Sequence, residues 1–89
     1  MIYRIEYTPS ASRQLAKLHK AVVQTRLMPK IDSLAETPRP PDAKKLQGFD
    51  NTYRIRVGDY RILYEIHDNI LLVLIVEVGH RGRVYRRKK

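Results

Sequence analysis

The chain has 89 residues, which is enough for one domain (residues 1–89) with one modest hydrophobic core. Its 18 Lys and Arg against 9 Asp and Glu give a formal charge of +9, which indicates a polyanionic partner: nucleic acid, a membrane surface or an acidic protein. The absence of cysteine excludes disulfides and thiolate metal sites, and the three histidines lack ligand-like spacing, so we expect no metal and no other cofactor.

The N-terminal strand and first helix have clear local signals. Residues 2–7 alternate between apolar and polar side chains, which predicts a strand with its odd-numbered residues on one face. They lack the continuous apolar stretch of a signal peptide. Thr8 and Pro9 mark a helix start, because threonine caps free amides and proline suits the first helical position. We expect this helix to end near Leu18.

A second helix is predicted from about Ala21 to Glu36, with a kink near Thr25 to Pro29. Its apolar stripe comprises Val23, Leu27, Ile31, Leu34 and Ala35. The outer faces of the two helices carry Arg13, Lys17, Lys20, Arg26 and Lys30. These cations are either a solvated surface or a secondary contact for a polyanion. Residues 37–42, TPRPPD, form a connector that proline keeps from being helical.

The C-terminal half is predicted to form three strands joined by tight turns at Gly58-Asp59 and at Asp68-Asn69. A two-residue loop at 58–59 puts Tyr53, Ile55, Val57, Tyr60, Ile62 and Tyr64 on one apolar face. It puts Arg54, Arg56 and Arg61 on the other, with Arg56 directly opposite Arg61. Like charges so placed are destabilising, so this face is either screened by solvent or used to bind an anion.

These elements predict an α+β fold of order β-α-α-β-β-β, in which two helices cover one face of a mainly antiparallel sheet. With a turn at 68–69, Leu71, Val73 and Ile75 face the helices, whereas Leu72, Leu74 and Val76 share the arginine side. Apolar residues on an uncovered face indicate a concave surface or the seat of a partner protein. The apolar run at residues 70–76 is too short to cross a bilayer, so we expect a soluble protein without membrane contact. The absence of cysteine is compatible with a reducing cytoplasm, which is the localisation we expect.

The C-terminal segment GHRGRVYRRKK is strongly basic. Arg81 and Tyr85 follow a buried strand closely, so we expect their backbone to be anchored near the arginine side. For residues 86–89, disorder and a binding role are both open.

Three segments together resemble one family: KKLQG at residues 44–48, YRIRVGDYRILY at residues 53–64, and VGHR with VY at residues 78–81 and 84–85. In this order they are similar to the RelE branch of the RelE/ParE toxin superfamily. The resemblance implies a RelE-like fold and the toxin of a toxin-antitoxin system. It further implies a ribosome-dependent endoribonuclease that cuts mRNA in the decoding site and is neutralised by a cognate antitoxin.

The resemblance also implies the site residues. The catalytic cluster carries over to Arg61, Arg81, Tyr85, Arg54 and Arg56. The basic residues expected to contact RNA or the ribosome are Lys44, Lys45, Arg83, Arg86 and Arg87. Arg61 and Arg81 would clamp the scissile phosphate, since planar guanidinium groups match phosphate oxygens. Tyr85 would stack on a base or exchange a proton.

The general base is open at this point. The best-known relatives have lysine where this chain has Arg54 and Arg56, and arginine does not lose its proton. The base is therefore Tyr85, His80 or a ribosomal group, or catalysis relies on positioning and electrostatics alone. The sequence indicates no compact pair of His and Glu, and we expect Glu65 to form an ion pair on the arginine side.

Two other functions remain open. A ParE-like toxin of the same fold would inhibit DNA gyrase without catalysis. A plain basic RNA-binding module would explain the charge but not the apolar strip, which suits an antitoxin segment.

Overall fold

The computed structural model describes residues 2–80. Five strands form one sheet in the order β1-β5-β4-β3-β2. The strands are β1 (Arg4–Tyr7), β2 (Lys44–Lys45), β3 (Thr52–Val57), β4 (Tyr60–His67) and β5 (Leu72–His80). β1 pairs in parallel with β5, and the other three pairings are antiparallel. The predicted α+β fold is confirmed, with the short edge strand β2 added.

Helix α1 (Pro9–Lys17) begins as predicted, because Thr8 accepts a hydrogen bond from the amide of Ala11 and Pro9 occupies the first turn. Ala11 is fully buried and Leu15 packs against the core. The helix therefore presents its apolar side to the sheet.

The second helical region runs without a break from residue 20 to residue 33, but it is not regular. A π-helical segment (Val23–Leu27) separates α2 (Lys20–Val22) from α3 (Met28–Ser33). The widened turn lies just before Pro29, which has no amide proton and whose ring would clash with the carbonyl four residues earlier. The predicted kink is thus a π turn. Leu27 and Ile31 stay fully buried on either side of it.

The predicted helix end at Glu36 is wrong by three residues. The amides of Leu34, Ala35 and Glu36 bond to carbonyls three residues back, so the last turn tightens after Ser33. No helix in residues 2–80 is long and apolar enough to cross a membrane.

The core lies between the helices and one face of the sheet. Its fully buried side chains are Ala11, Leu27, Ile31, Leu34, Ile55, Ile62, Tyr64, Val73 and Ile75, with Ile66 and Val78 nearly so. Leu63 and Leu72 are also buried but belong to the opposite face of the sheet. We call this opposite face the arginine face, since Arg54, Arg56 and Arg61 lie on it.

The two-residue turn predicted at Asp68-Asn69 is wrong. Asp68–Ile70 form a 3₁₀ turn, and Leu71 follows with a left-handed φ of 52°. The loop is four residues long, so Leu71 is not part of the strand and Tyr64 pairs with Ile75. This lengthening shifts β5 by two residues, which keeps Val73 and Ile75 on the helix side as predicted.

A β-bulge at Val76 reverses the alternation of side chains in the last part of β5. Odd-numbered residues face the helices before the bulge and the arginine face after it. Tyr64 pairs with Ile75, but Leu63 pairs with Glu77, so Val76 is the extra residue. Thr8 Oγ1 donates to the Val76 carbonyl at 2.9 Å, and the Val78 amide donates to Gln14 Oε1 at 2.8 Å. The side chain of Thr8, which caps α1, and that of Gln14 within α1 thus bind backbone groups on either side of the bulge.

Candidate functional site

The arginine face carries two cross-strand rows of basic residues. Arg56 lies directly opposite Arg61, and Gly79 follows as the next residue across the sheet. The neighbouring row runs Lys44, Arg54, Leu63, Glu77. The predicted opposition of Arg56 and Arg61 is therefore confirmed, and β2 adds Lys44 beside Arg54.

The residues of these rows differ in accessibility. Arg56 is exposed, whereas Arg54 and Arg61 are half-buried. Nε of Arg61 and Oε1 of Glu77 are shielded from solvent. Glu77 reaches this face because of the bulge at Val76, so a carboxylate lies diagonally across from Arg61. The face thus carries the accessible guanidinium of Arg56 opposite Arg61, whose Nε atom is buried within the fold.

The β3–β4 turn brings a further cation to the same end of the sheet. Gly58 has a φ of +59°, which favours glycine in a two-residue hairpin loop. A Cβ at this position would lie 3.2 Å from Nη1 of Arg26, so the π-helical segment holds that guanidinium against the turn. The sequence predicted Arg26 only as part of an outer helix surface.

The remaining predicted site residues have different positions. Lys45 pairs with Tyr53 and so alternates to the side away from Arg54. His80 pairs with Tyr60, whose side faces the helices, and the two rings meet edge to face at 5.4 Å. His80 therefore lies on the opposite side of the sheet from the arginines. Arg81, Arg83, Tyr85, Arg86 and Arg87 lie outside the described residues.

At its other end the arginine face carries a polar relay that the sequence analysis missed. Nε2 of His67 lies 2.9 Å from Oε1 of Glu65, and Nδ1 of His67 lies 3.4 Å from Nδ2 of Asn51. The expectation of no compact His and Glu pair is wrong, and Glu65 pairs with His67. The available signal was their spacing, since residues two apart on a strand share a face.

A second polar cluster ties the proline-rich connector to the end of the sheet. Arg39 binds both carboxylate oxygens of Asp68, at 3.3 and 2.8 Å, and Tyr3 donates to the same carboxylate. The hydrogen bonds from Arg39 and then Tyr3 lower the pKa of Asp68 to about 2. The bond to Asp68 also raises the pKa of Arg39. This cluster explains why the β4–β5 loop is longer than predicted.

Two stacked tyrosines continue this cluster into the core. Arg39 Nε donates to the hydroxyl of Tyr53 at 3.0 Å, and the Tyr53 ring stacks on Tyr64 with centroids 5.9 Å apart. Tyr64 is fully buried and donates to the Pro38 carbonyl at 2.8 Å. Burial raises the pKa of Tyr64, so its hydroxyl stays protonated. The connector is thus fixed by side chains from three strands or strand ends.

Comparison with known proteins identifies the family to which this chain belongs. The profile of the ParE toxin of type II toxin-antitoxin system, parDE, matches residues 5–85. The chain belongs to the RelE/ParE toxin superfamily.

Individual toxins of this superfamily resemble the chain over most of its length. Toxin RelG of Mycobacterium tuberculosis is 31% identical over 98% of this chain and 100% of the relative. The mRNA interferase toxin RelE of Escherichia coli strain K12 is 31% identical over 93% of this chain and 87% of the relative. The protein is accordingly the toxin component of a toxin-antitoxin system.

Solved toxin-antitoxin complexes share the fold. The archaeal RelE-RelB complex from Pyrococcus horikoshii OT3 matches with a TM-score of 0.79 and 31% identity, covering 93% of this chain and 99% of that chain. The intact E. coli RelBE complex matches with a TM-score of 0.78 and 28% identity, covering 91% and 99%. In both, the helix pair and the sheet correspond to those of this toxin.

Proposed function

We propose that the protein is a RelE-type mRNA interferase, an endoribonuclease that cleaves ribosome-bound message in the decoding site. The names of the E. coli and Shigella flexneri relatives, both RelE mRNA interferases, support this activity. The observation in this chain that carries the proposal is the pair of facing cations Arg56 and Arg61, next to the row of Lys44 and Arg54. A fold that keeps like charges opposed on an open face benefits when an anion binds between them.

The chemistry proposed for this face is attack of an RNA 2′-hydroxyl on the adjacent phosphate. The 2′-oxygen bonds to phosphorus while the bond to the 5′-oxygen breaks, which leaves a cyclic phosphate and a free 5′-hydroxyl. The nucleophile loses a proton and the leaving oxygen gains one. Guanidinium groups fixed beside the phosphate stabilise the charge that develops on its oxygens. Arg61 and Arg81 are the proposed clamp, and Arg54, Arg56 and Tyr85 complete the proposed cluster.

The proposed cleavage also needs a general base to take the proton of the 2′-hydroxyl. Arginine side chains are hydrogen-bond donors without acceptor capacity, so Arg54 and Arg56 are not candidates for the general base. His80 lies across the sheet from the arginines, which argues against it as the base. Tyr85 and a ribosomal group are the remaining candidates, and the ribosome also holds the message in line for attack. We therefore propose that cleavage depends on the ribosome.

The proposed partner outside translation is a cognate antitoxin. RelE relatives are seen in complex with RelB antitoxins, both in E. coli and in archaea. The charge of +9 favours an acidic partner. An apolar segment of such a partner would pack against the side chains of Leu72 and Leu74 on the arginine face.

The test is translation in vitro with an end-labelled message, with and without ribosomes, beside a gyrase supercoiling assay. We expect cleavage within ribosome-bound codons, little cleavage of naked RNA and normal supercoiling. Arg61→Ala should lower the cleavage rate by about 100-fold or more, since it removes a contact to the developing charge. Arg13→Ala, which removes an exposed arginine on α1, is the matched control and should cleave normally.

The alternative to mRNA cleavage is a ParE-like toxin that inhibits DNA gyrase. The match to the ParE toxin profile is the reason for testing it. An intact message together with inhibited supercoiling would replace the proposal with that alternative. Binding of RNA without cleavage or gyrase inhibition would reduce the protein to a basic RNA-binding module.

A further inference from the structure

The relay of Asn51, His67 and Glu65 lies on the same face as the arginines but serves no step proposed above. Glu65 is four residues along β4 from Arg61, about 13 Å at the rise of a strand. It is two residues beyond Leu63, which pairs with Arg54. Glu65 is therefore too far away to act on a phosphate held by Arg56 and Arg61. Glu65 is close enough to contact the base of a neighbouring nucleotide when single-stranded RNA crosses the arginine face.

The relay holds Glu65 in one orientation while leaving it accessible. The side chains of Glu65 and His67 are each 32% exposed. Nε2 of His67 donates to Oε1 of Glu65, and Nδ1 of the same ring lies against the side-chain amide of Asn51, so the imidazole is held at both nitrogens. Within residues 2–80, Oε2 of Glu65 has no hydrogen-bond partner, so the carboxylate retains acceptor capacity toward solvent or a ligand.

The charge at this end of the face selects a base rather than a phosphate. The rows of Arg56 and Arg54 supply cations for the RNA backbone, whereas the row of Glu65 supplies Thr52 and two carboxylates, Glu65 and Glu6. Glu6 is ion-paired with Arg4, which leaves Glu65 as the carboxylate that this row offers to a base. A carboxylate repels phosphate but accepts hydrogen bonds from N–H groups on the Watson–Crick edge of a base. The face thus divides into a phosphate-binding end and an end suited to a base with donors.

Guanine best fits a carboxylate that is fixed on one side. Its N1–H and N2–H groups are adjacent donors and can reach both carboxylate oxygens, since each oxygen accepts more than one hydrogen bond. Uracil presents one N–H between two carbonyl oxygens, which the carboxylate repels. Resting on the proposed RNA cleavage, we propose that Glu65, positioned by His67 and Asn51, selects a guanine in the message near the cleaved phosphate and rejects uracil there.

The test maps cleavage on ribosome-bound messages in which the nucleotides around one cleavage site are randomised. We expect the wild-type toxin to favour guanine over uracil at one fixed position by about 5- to 100-fold, the discrimination of one bidentate contact. Glu65→Gln should lose this preference, because its amide offers uracil a donor. Arg61→Ala should instead lose cleavage at all sequences.

The chain supplies a matched control for Glu65. Glu6 lies in the same row of the same face, on the far side of Leu74, and pairs with Arg4 at 2.8 Å as Glu65 pairs with His67. Glu6→Gln should keep the guanine preference. His67→Gln can still donate to Glu65 and should retain most of the preference, whereas His67→Leu should lose it. Thermal unfolding of each variant checks that its fold is intact.

The outcomes separate this inference from the proposed function. Cleavage with no guanine preference, or with a preference unchanged in Glu65→Gln, overturns the inference while the cleavage activity stands. If the wild-type toxin cuts no message, NMR titration of the free protein with GMP and UMP decides. Shifts at residues 64–68 that are larger with GMP and lost in Glu65→Ala support the base site without the nuclease. Equal or absent shifts overturn it.

Discussion

Removing the charge of Arg56 is expected to stabilise the protein and to impair cleavage. Arg56 and Arg61 are direct cross-strand partners, so their Cβ atoms are about 5 Å apart. Two unit charges at that distance in water repel by about 0.8 kcal/mol. Arg56 is exposed and its guanidinium can turn away, so we expect Arg56→Gln to gain about 0.5 kcal/mol. For a domain of this size that raises Tm by about 2–4 °C.

The assay pairs thermal unfolding with message cleavage in Arg56→Gln and Arg56→Lys. The lysine variant keeps the charge, so its Tm should match the wild type and it should retain more cleavage than the glutamine variant. The stability gain of Arg56→Gln should shrink between low salt and 1 M salt, where the screening length falls to about 3 Å. A lower Tm for Arg56→Gln in low salt, or a gain that ignores salt, would refute the repulsion argument. Unimpaired cleavage would refute the role of Arg56 in binding phosphate.

Four further substitutions test the contacts that hold the sheet in place. Tyr64→Phe should destabilise the fold by about 1 kcal/mol, measured by urea unfolding, since it removes a buried hydrogen bond to a connector carbonyl. Asp68→Asn should lower Tm at pH 7, because it loses the ion pair with Arg39. The pKa of Asp68 is lowered to about 2 in the fold, so its contribution is complete above about pH 4 and fades toward pH 2. The Tm difference should close over that window, and a constant difference would contradict the linkage. Gly58→Ala should cost about 1 kcal/mol, from the positive φ and the close approach of Arg26, and Arg26→Ala should relieve only the second part.

Local signals were enough to predict the start of α1 and the β3–β4 hairpin. Thr8 and Pro9 satisfy the first turn of a helix without help from distant residues. A two-residue loop at Gly58 fixes the pairing of the flanking strands, and period-two alternation then puts Arg56 opposite Arg61. The main cationic feature of the candidate site could therefore be predicted from the sequence alone.

The proximity of Glu65 and His67 could also have been predicted from strand alternation. Glu65 and His67 share a face whenever β4 is a strand, so their proximity follows from alternation. Their contact with Asn51 does not, because that residue lies in the loop before β3 and joins them only through the sheet.

By itself, the sequence determined which residues share a face wherever a short loop fixes the register, and it determined the family through the order of its motifs. The tertiary structure alone decided the length of the β4–β5 loop and the register of β5 on β4. The β4–β5 loop lengthens because Arg39 and Tyr3 bind Asp68 from distant parts of the chain. Val76 bulges where side chains of Thr8 and α1 bind the displaced backbone, and that single extra residue turns Glu77 toward the arginines. Contacts between residues so far apart in the chain leave no local pattern, which is why the sequence could not predict them.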